Sequence, residues 1–315
     1  MTTRTPEILA IGEPLLELNA ATEGSLESTR TFSVGYGGDT SNFAVAAARA
    51  GGAVAYLTRI GDDAFGTVLS DLWREEGVDT RFVTKERGGR TGIYFISRRP
   101  EGHAFTYYRA DSPATRLQPD DVPEHAVAGS RLLHVTGITQ AISSTACDTT
   151  FHAMQVARAH GTLVSYDPNY RPALWPAERA RAVIMRSIEL ADIALPNQEE
   201  GRLLTGVEDP AAMVAAFLER GPRMVVLKMG DRGVLIGEKG RQTHVKAHAV
   251  DAVDASGAGD TFDGVFCARL LEGAEPVEAA RLAVIAAALT TTGLGAVRPI
   301  PHRAEVDALM GATAP

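Results

Sequence analysis

Residues 254–264 read DASGAGDTFDG: Gly257, Ala258 and Gly259 run directly into Asp260, and Phe262, Val265, Phe266, Leu270 and Leu271 then recur at helical spacing. The small residues therefore sit just ahead of a helix whose first turn holds Asp260 and Thr261. Unpaired backbone N–H groups at a helix start bind anions, and small side chains let a phosphate approach them. Aspartate is also a favoured helix cap, yet capping needs one polar residue, not three small ones before it. A carboxylate beside an anion hole is what phosphoryl transfer requires: a base for the attacking hydroxyl, next to donors for the transferring group.

Outward from this stretch, short apolar runs alternate with longer helical patterns. EILAIG (7–12), VAYLTRIG (54–61), RLLHVTGI (131–138), TLVSYDPN (162–169), IALPN (193–197) and MVVLKMG (224–230) read as strands. Between them, SNFAVAAARAG, FGTVLSDLWREEG, CDTTFHAMQVARAHG, RAVIMRSIELA and PAAMVAAFLERG carry apolar residues near helical spacing, several ending in glycine. This alternation implies an α/β fold, a mainly parallel sheet with helices on both faces. Two segments break the rhythm, about 14–36 and 91–109. Both read as strands with more aromatics than a solvated hairpin needs, so a small β-sheet lid inserted into one domain spanning residues 1–315 is expected.

Composition narrows the function. Of 315 residues, 22% are charged, the formal net charge is −8, and no long basic run occurs, which argues against a nucleic-acid partner. The two cysteines, Cys147 and Cys267, have no CxxC spacing and suit buried thiols in a reducing compartment. MTTRTPEILAIGEP has no apolar core of signal-peptide length, and no apolar run approaches a bilayer span, so a soluble, cytoplasmic protein without a membrane partner is expected.

Further motifs carry chemistry. GYGGDTSN (35–42) offers Gly37 and Gly38 for close backbone approach, with Asn42 opening a helix; a glycine turn with an asparagine cap explains it equally well. GDDAFG (61–66) follows a strand. In YDPNYRPALW (166–175), Asp167 and Asn169 end a strand at the edge where open α/β sheets bind ligands, and Arg171 could pair with a carboxylate or phosphate. Asn197 and Glu200 of LPNQEE can share a face and order water around a metal, or simply cap a helix. LKMGDRGVLI (227–236) reads as strand, turn and strand. No GK[ST] P-loop, HExxH or GxSxG is present, so a bound nucleotide is held without a P-loop.

As an ordered set, the early GG…N, GxDxxG, DxNxR, NxxE, KxGxxG-like turn and late GAGD resemble the ribokinase-like (PfkB) carbohydrate kinases over nearly the whole chain. The resemblance implies a three-layer α/β/α core with a β-sheet lid and ATP-dependent phosphorylation of a sugar hydroxyl, with Mg²⁺ accompanying ATP. It implies Asp260 as base and Gly257, Ala258 and Gly259 as anion hole. The acceptor would meet Gly37, Gly38 and Asn42, and the nucleotide Asn169, Asn197, Lys228, Gly230, Asp231, Gly233, Gly257 and Gly259. Asn197 and Glu200 would influence Mg²⁺ through water. A monovalent cation such as K⁺ activates some members. GEPLLEL, GGDTSN, RTGIYF and YYRADSPATRL look most like 2-keto-3-deoxygluconate kinases, which would place Tyr94, Tyr107, Arg109, Ile138 and Arg171 around a sugar acid, with Arg171 on its carboxylate. Fructokinases are the competing subgroup, though they usually show GGAPAN where this chain has GGDTSN; a tagatose or ribose kinase is a further alternative. Homo-oligomers through exposed lid edges are expected to be possible. Ala255, Val265 and Val284 depart from the family pattern near the late motif.

Overall fold

ILAI at Ile8–Ile11 is apolar and fully buried at every position, the signature of a strand covered on both faces. In the computed structural model, which describes residues 6–99 and 102–312, it is the first of thirteen described strands. In chain order these are β1 (Ile8–Ile11), β2 (Leu15–Glu23), β3 (Phe32–Gly37), β4 (Val54–Gly61), β5 (Asp79–Glu86), β6 (Ile93–Arg99) and β7 (Gly102–Tyr108). They continue as β8 (Leu132–Thr136), β9 (Leu163–Asp167), β10 (Ile193–Ala194), β11 (Met224–Lys228), β12 (Val234–Glu238) and β13 (Arg241–Val245).

Nine strands form one sheet in the order β13-β12-β11-β10-β9-β8-β1-β4-β5, parallel except where β12 and β13 return as antiparallel hairpins. Side chains alternate across it. Ile8 and Ala10 enter a core layer with Phe43, Phe262 and Phe266, whereas Leu9 and Ile11 enter the opposite layer with Met154, Ile184 and Phe217. Each fully buried aromatic or aliphatic side chain of this kind contributes roughly 1.5–3 kcal/mol. Among the described residues no helix is long and apolar enough to cross a membrane.

The chain runs outward from β1 to β4 and β5, then resumes on the other side of β1 with β8 through β11. Such a reversal opens a crevice at the carboxyl ends of the central strands. Glu13 follows β1 there, Ile138 follows β8, and Asn169 follows β9. The helix Ala258–Leu271 seats against Asp39–Arg49 because Gly264 has no side chain: a Cβ would lie 2.5 Å from the Phe43 carbonyl oxygen. That close approach brings the two helix starts to one edge.

A second sheet, β3-β2-β6-β7, is antiparallel except for the parallel β2–β6 pair. Its strands fall within the two segments that break the α/β rhythm. Residues 1–5, 100–101 and 313–315 lie outside the described residues.

Candidate active site

The late motif begins with Gly257, which caps helix Ala258–Leu271 in the left-handed region at φ 74°. A Cβ at Gly257 would lie 2.5 Å from the Ala296 carbonyl oxygen, so sign of φ and lack of space both demand glycine. Gly259 differs: the nearest atom to a Cβ there is Lys228 Nζ at 3.7 Å, an ordinary contact. Its small size leaves room for a ligand rather than for packing.

Asp260 follows, half-buried, and its Oδ2 accepts a 2.8 Å bond from Asn42 Nδ2. Asn42 is not the cap of its own helix. That helix starts at Asp39 with Gly38 as its N-cap, so the Asn42 side chain is free to reach across to Asp260. Burial pushes the Asp260 carboxyl up to about 7; the charges of Asp39 and Asp167 add to this, while Asn42 and Lys228 oppose it.

Below this carboxyl, Lys228 Nζ lies 3.1 and 3.0 Å from the two Asp263 oxygens and 3.1 Å from Asp167 Oδ2. Burial opposes charge on all three groups. The ammonium nevertheless holds Asp167 below its ordinary range, the two carboxylates hold Lys228 above its own, and Asp263 is pushed well upward.

Asn197 and Glu200 form a reciprocal capping box on helix Gln198–Thr205: Asn197 Oδ1 accepts from Glu200 N at 2.9 Å, and Glu200 Oε2 accepts from Asn197 N at 2.9 Å. Glu200 Oε1 accepts from Tyr170 N at 2.8 Å, latching the loop after β9. Burial first, then the Asp167 charge, pushes Glu200 up to about 7. These oxygens are occupied by backbone donors, and among the described residues no group of three His, Cys, Asp or Glu could hold a metal ion. Direct ligation of a metal by Asn197 and Glu200 does not fit this arrangement; contact through water or a bound phosphate does.

A cavity of about 580 Å³ opens between β11, β12 and the late motif, lined by Lys228, Gly230, Asp231, Gly233, Ala258, Gly259 and Phe262 among others. Its size and small, apolar walls suit a nucleotide. Ala255 and Val284, two of the departures from the family pattern, also line it, whereas Val265 is packed in the core. Asn169 and Asn197 do not line it. Asn169, at φ 38°, instead donates to Asp39 Oδ2 at 3.3 Å.

On the other side of Asp260 the second sheet presents aromatic rings. Tyr94 and Tyr107 stack with centroids 5.5 Å apart, and the Arg109 guanidinium lies 5.6 Å from the Tyr107 centroid. Tyr94 Oη donates to Glu17 Oε2 at 2.6 Å. Arg109 pairs with the buried Glu13, which also accepts from Ser112 Oγ at 2.6 Å. Burial raises the Tyr107 phenol, and the charges of Arg109 and Arg171 pull it back. Arg171 itself is exposed, held by its Nη1 bond to the Tyr170 carbonyl at 3.1 Å. Gly37 and Gly38 allow the crossing of β3 over Tyr94 and Glu13: Cβ atoms would meet Tyr94 Oη at 2.4 Å and the Glu13 carbonyl oxygen at 2.3 Å. Ile138 is half-buried in the first turn after β8.

The chain matches the model of the pfkB family carbohydrate kinases over residues 5–303. It belongs to that family. The kinase is 34% identical to the 2-dehydro-3-deoxygluconokinase of Thermoproteus tenax over 310 residues, 97% of this chain and 94% of that protein. It is 31% identical to a probable fructokinase-4 of Arabidopsis thaliana over 317 residues, covering 96% of each. Among solved structures, a putative ribokinase II from E. coli in complex with ATP and Mg²⁺ matches it with a TM-score of 0.91 at 25% identity, covering 98% of this chain and 99% of that one. The mainly parallel core and small sheet are therefore those of a sugar kinase, a phosphotransferase with a hydroxyl acceptor.

Several residues of the kinase site escaped the motif reading. Glu13 and Glu17 stand in GEPLLEL as carboxylates within an otherwise apolar, buried run, which is the signal that could have found them. Asp263 was masked by its place in a helix. Asp63 of GDDAFG proves architectural: it caps helix Ala64–Glu75 through Gly66 N at 2.7 Å and holds Thr91 N at 2.8 Å.

Proposed function

We propose that this kinase transfers the γ-phosphoryl group of ATP to a hydroxyl of a sugar acid, with 2-keto-3-deoxygluconate as substrate and its 6-phosphate as product. Asp260 takes the proton of the attacking hydroxyl, and the N–H groups of Gly257, Ala258 and Gly259 receive the charge that develops on the transferring phosphoryl. With its carboxyl at about 7, Asp260 is a base matched to neutral solution. Lys228 through Gly233 border the nucleotide. Asn197 and Glu200 would hold Mg²⁺ through water, and that ion would supply charge neutralisation of the phosphates. Gly37, Gly38, Asn42, Tyr94, Tyr107 and Ile138 surround the acceptor, and the small sheet covers it as a lid.

The observation that supports the sugar-acid reading is positive charge around Tyr107: the Arg109 guanidinium lies 5.6 Å from its ring centroid, and the charge of the exposed Arg171 also acts on its phenol. Glu13 already neutralises Arg109, so Arg171 supplies the unmatched positive charge for a planar carboxylate. A ketohexose kinase is the second reading, favoured by the 31% identity to a protein named as a fructokinase. Assay with Mg-ATP against 2-keto-3-deoxygluconate, fructose, tagatose and ribose separates them. The sugar acid should show the highest kcat/KM, and Arg171→Lys should weaken it more than any neutral sugar. A preference for a neutral ketose refutes the sugar-acid assignment.

A further inference from the structure

The GGDTSN run distributes its polar side chains unequally. Thr40 hydroxyl is 2.9 Å from Tyr56 Oη and Ser41 Oγ accepts from Trp73 Nε1 at 2.9 Å, so both are absorbed by the core. Asp39 is not. It is 7% exposed, its Oδ2 takes a 3.3 Å bond from Asn169, and its Oδ1 is buried with no hydrogen-bond partner among the described residues. One turn on, Asn42 gives its amide to Asp260, and its own Oδ1 is likewise buried without a partner. Both orphan atoms are acceptors, and leaving a buried acceptor unmet costs about 1–3 kcal/mol. A ligand seated against this helix start must therefore bring donors.

The surroundings select the kind of donor. Asp39 feels Arg109, Asp167, Glu13 and Asp260, and is steadied by the Thr136 hydroxyl and the Thr40 N–H. Burial and the Asp167 charge raise the Asp39 carboxyl while the helix start and Arg109 oppose them, and among the described residues no group of three or more His, Cys, Asp or Glu could hold a bare metal cation here. A neutral hydroxyl meets the acceptor without altering that balance. We propose that Asp39 is a specificity-determining residue: its Oδ1 accepts the hydroxyl on the acceptor carbon adjacent to the one phosphorylated, so that Asp39 and Asp260 together read a vicinal diol. This rests on Asp260 being the base that meets the attacking hydroxyl. Asp39 also acts on that base. The groups facing Asp260 are Asn42, Asp39, Asp167, Lys228 and Tyr94, and of the charged ones Asp39 does most to hold its proton.

The test compares the best acceptor from the four-sugar assay with its analogue deoxygenated at the neighbouring carbon. Wild-type enzyme should prefer the full acceptor by about 10²-fold or more in kcat/KM, because a site built to bond a hydroxyl rejects the analogue lacking it. Asp39→Ala should reduce that preference to a few-fold. Asp39→Asn keeps an acceptor oxygen and should retain most of the preference, while loss of the charge moves the acid limb of kcat/KM to lower pH. Equal discrimination by wild type and Asp39→Ala overturns the proposal, as does a raised Mg²⁺ requirement with discrimination intact. If the alanine variant does not fold, the asparagine variant decides: an unmoved acid limb overturns the placement of Asp39 beside the base. Asp260→Asn is run alongside. Undiminished turnover by that variant refutes the base assignment itself, a failure distinct from loss of the Asp39 effect.

Discussion

Asn42 donates its side-chain amide to Asp260 across 2.8 Å, joining positions 218 residues apart in sequence. The bond favours the ionised carboxylate, so it holds the Asp260 pKa down against burial. Asn42→Ala should raise that pKa above about 7 and move the acid limb of kcat/KM toward higher pH. Below the limb the ionised fraction falls about tenfold per pH unit, so kcat/KM at pH 7 should drop in proportion to the limb's displacement. Rate profiles between about pH 5.5 and 9 bracket the limb on both sides. A limb in the wild-type position would show that Asn42 does not control the base.

Asp260→Asn should divide activity from stability. Loss of a general base lowers kcat by about 10²–10⁴-fold, while ATP affinity, read by nucleotide titration, should stay within a few-fold. The sign of the stability change follows from linkage. A carboxyl with a raised folded pKa contributes its stability fully below its unfolded value near 3.8 and loses it as pH climbs through about 7. At pH 8 the wild type thus carries a disfavoured charge that asparagine lacks. The variant's Tm should exceed wild type at pH 8, and the difference should shrink toward pH 5; a constant difference would contradict the linkage.

The strands around β1 were legible because burial on both faces writes continuous apolar runs, and the helix start of the late motif because a left-handed cap packed against Ala296 demands Gly257. The start of the helix after GYGG was misplaced for a local reason. Asn42 resembles a cap, yet Gly38 fills that position and frees Asn42 for a partner that no local window contains. Asn197 and Glu200 were legible only as a pair: their spacing suited a water-mediated metal contact and a capping box alike, and the side chains make the box. Glu13, Glu17 and Asp263 went unread because their partners, Arg109, Tyr94 and Lys228, are distant in sequence. Long-range pairing of buried charge leaves only a misplaced acid in an apolar run.

Gly257 and Gly259 should respond differently to the same substitution. Gly257→Ala forces a side chain into the left-handed region, worth about 1–3 kcal/mol of strain, and drives it against the Ala296 carbonyl oxygen at 2.5 Å. It should lose both stability and turnover. Gly259→Ala meets only Lys228 Nζ at 3.7 Å and should unfold at the wild-type urea concentration. On the proposed anion-hole role its methyl group would crowd the transferring phosphoryl, so kcat should fall by about 10²-fold, the loss that a misplacement of about 1 Å causes. Wild-type turnover in Gly259→Ala would remove Gly259 from the anion hole.

Lys228 and Asp263 form a buried pair whose two members are not equally replaceable. Lys228→Met leaves Asp167 and Asp263 facing each other without the ammonium that now lies 3.0–3.1 Å from both. Breaking a buried pair on one side costs about 3–5 kcal/mol, so the urea midpoint should fall sharply. Burial pushes the Asp263 carboxyl well upward, and an asparagine has the same shape without the disfavoured charge. Asp263→Asn should therefore cost less than about 1 kcal/mol, within the range of a single hydrogen bond. It should leave Lys228 paired with Asp167 and turnover within a few-fold of wild type. Equal destabilisation by both substitutions, measured by urea unfolding at pH 7, would mean that Asp263 is ionised and that Lys228 is balanced by two charges rather than one.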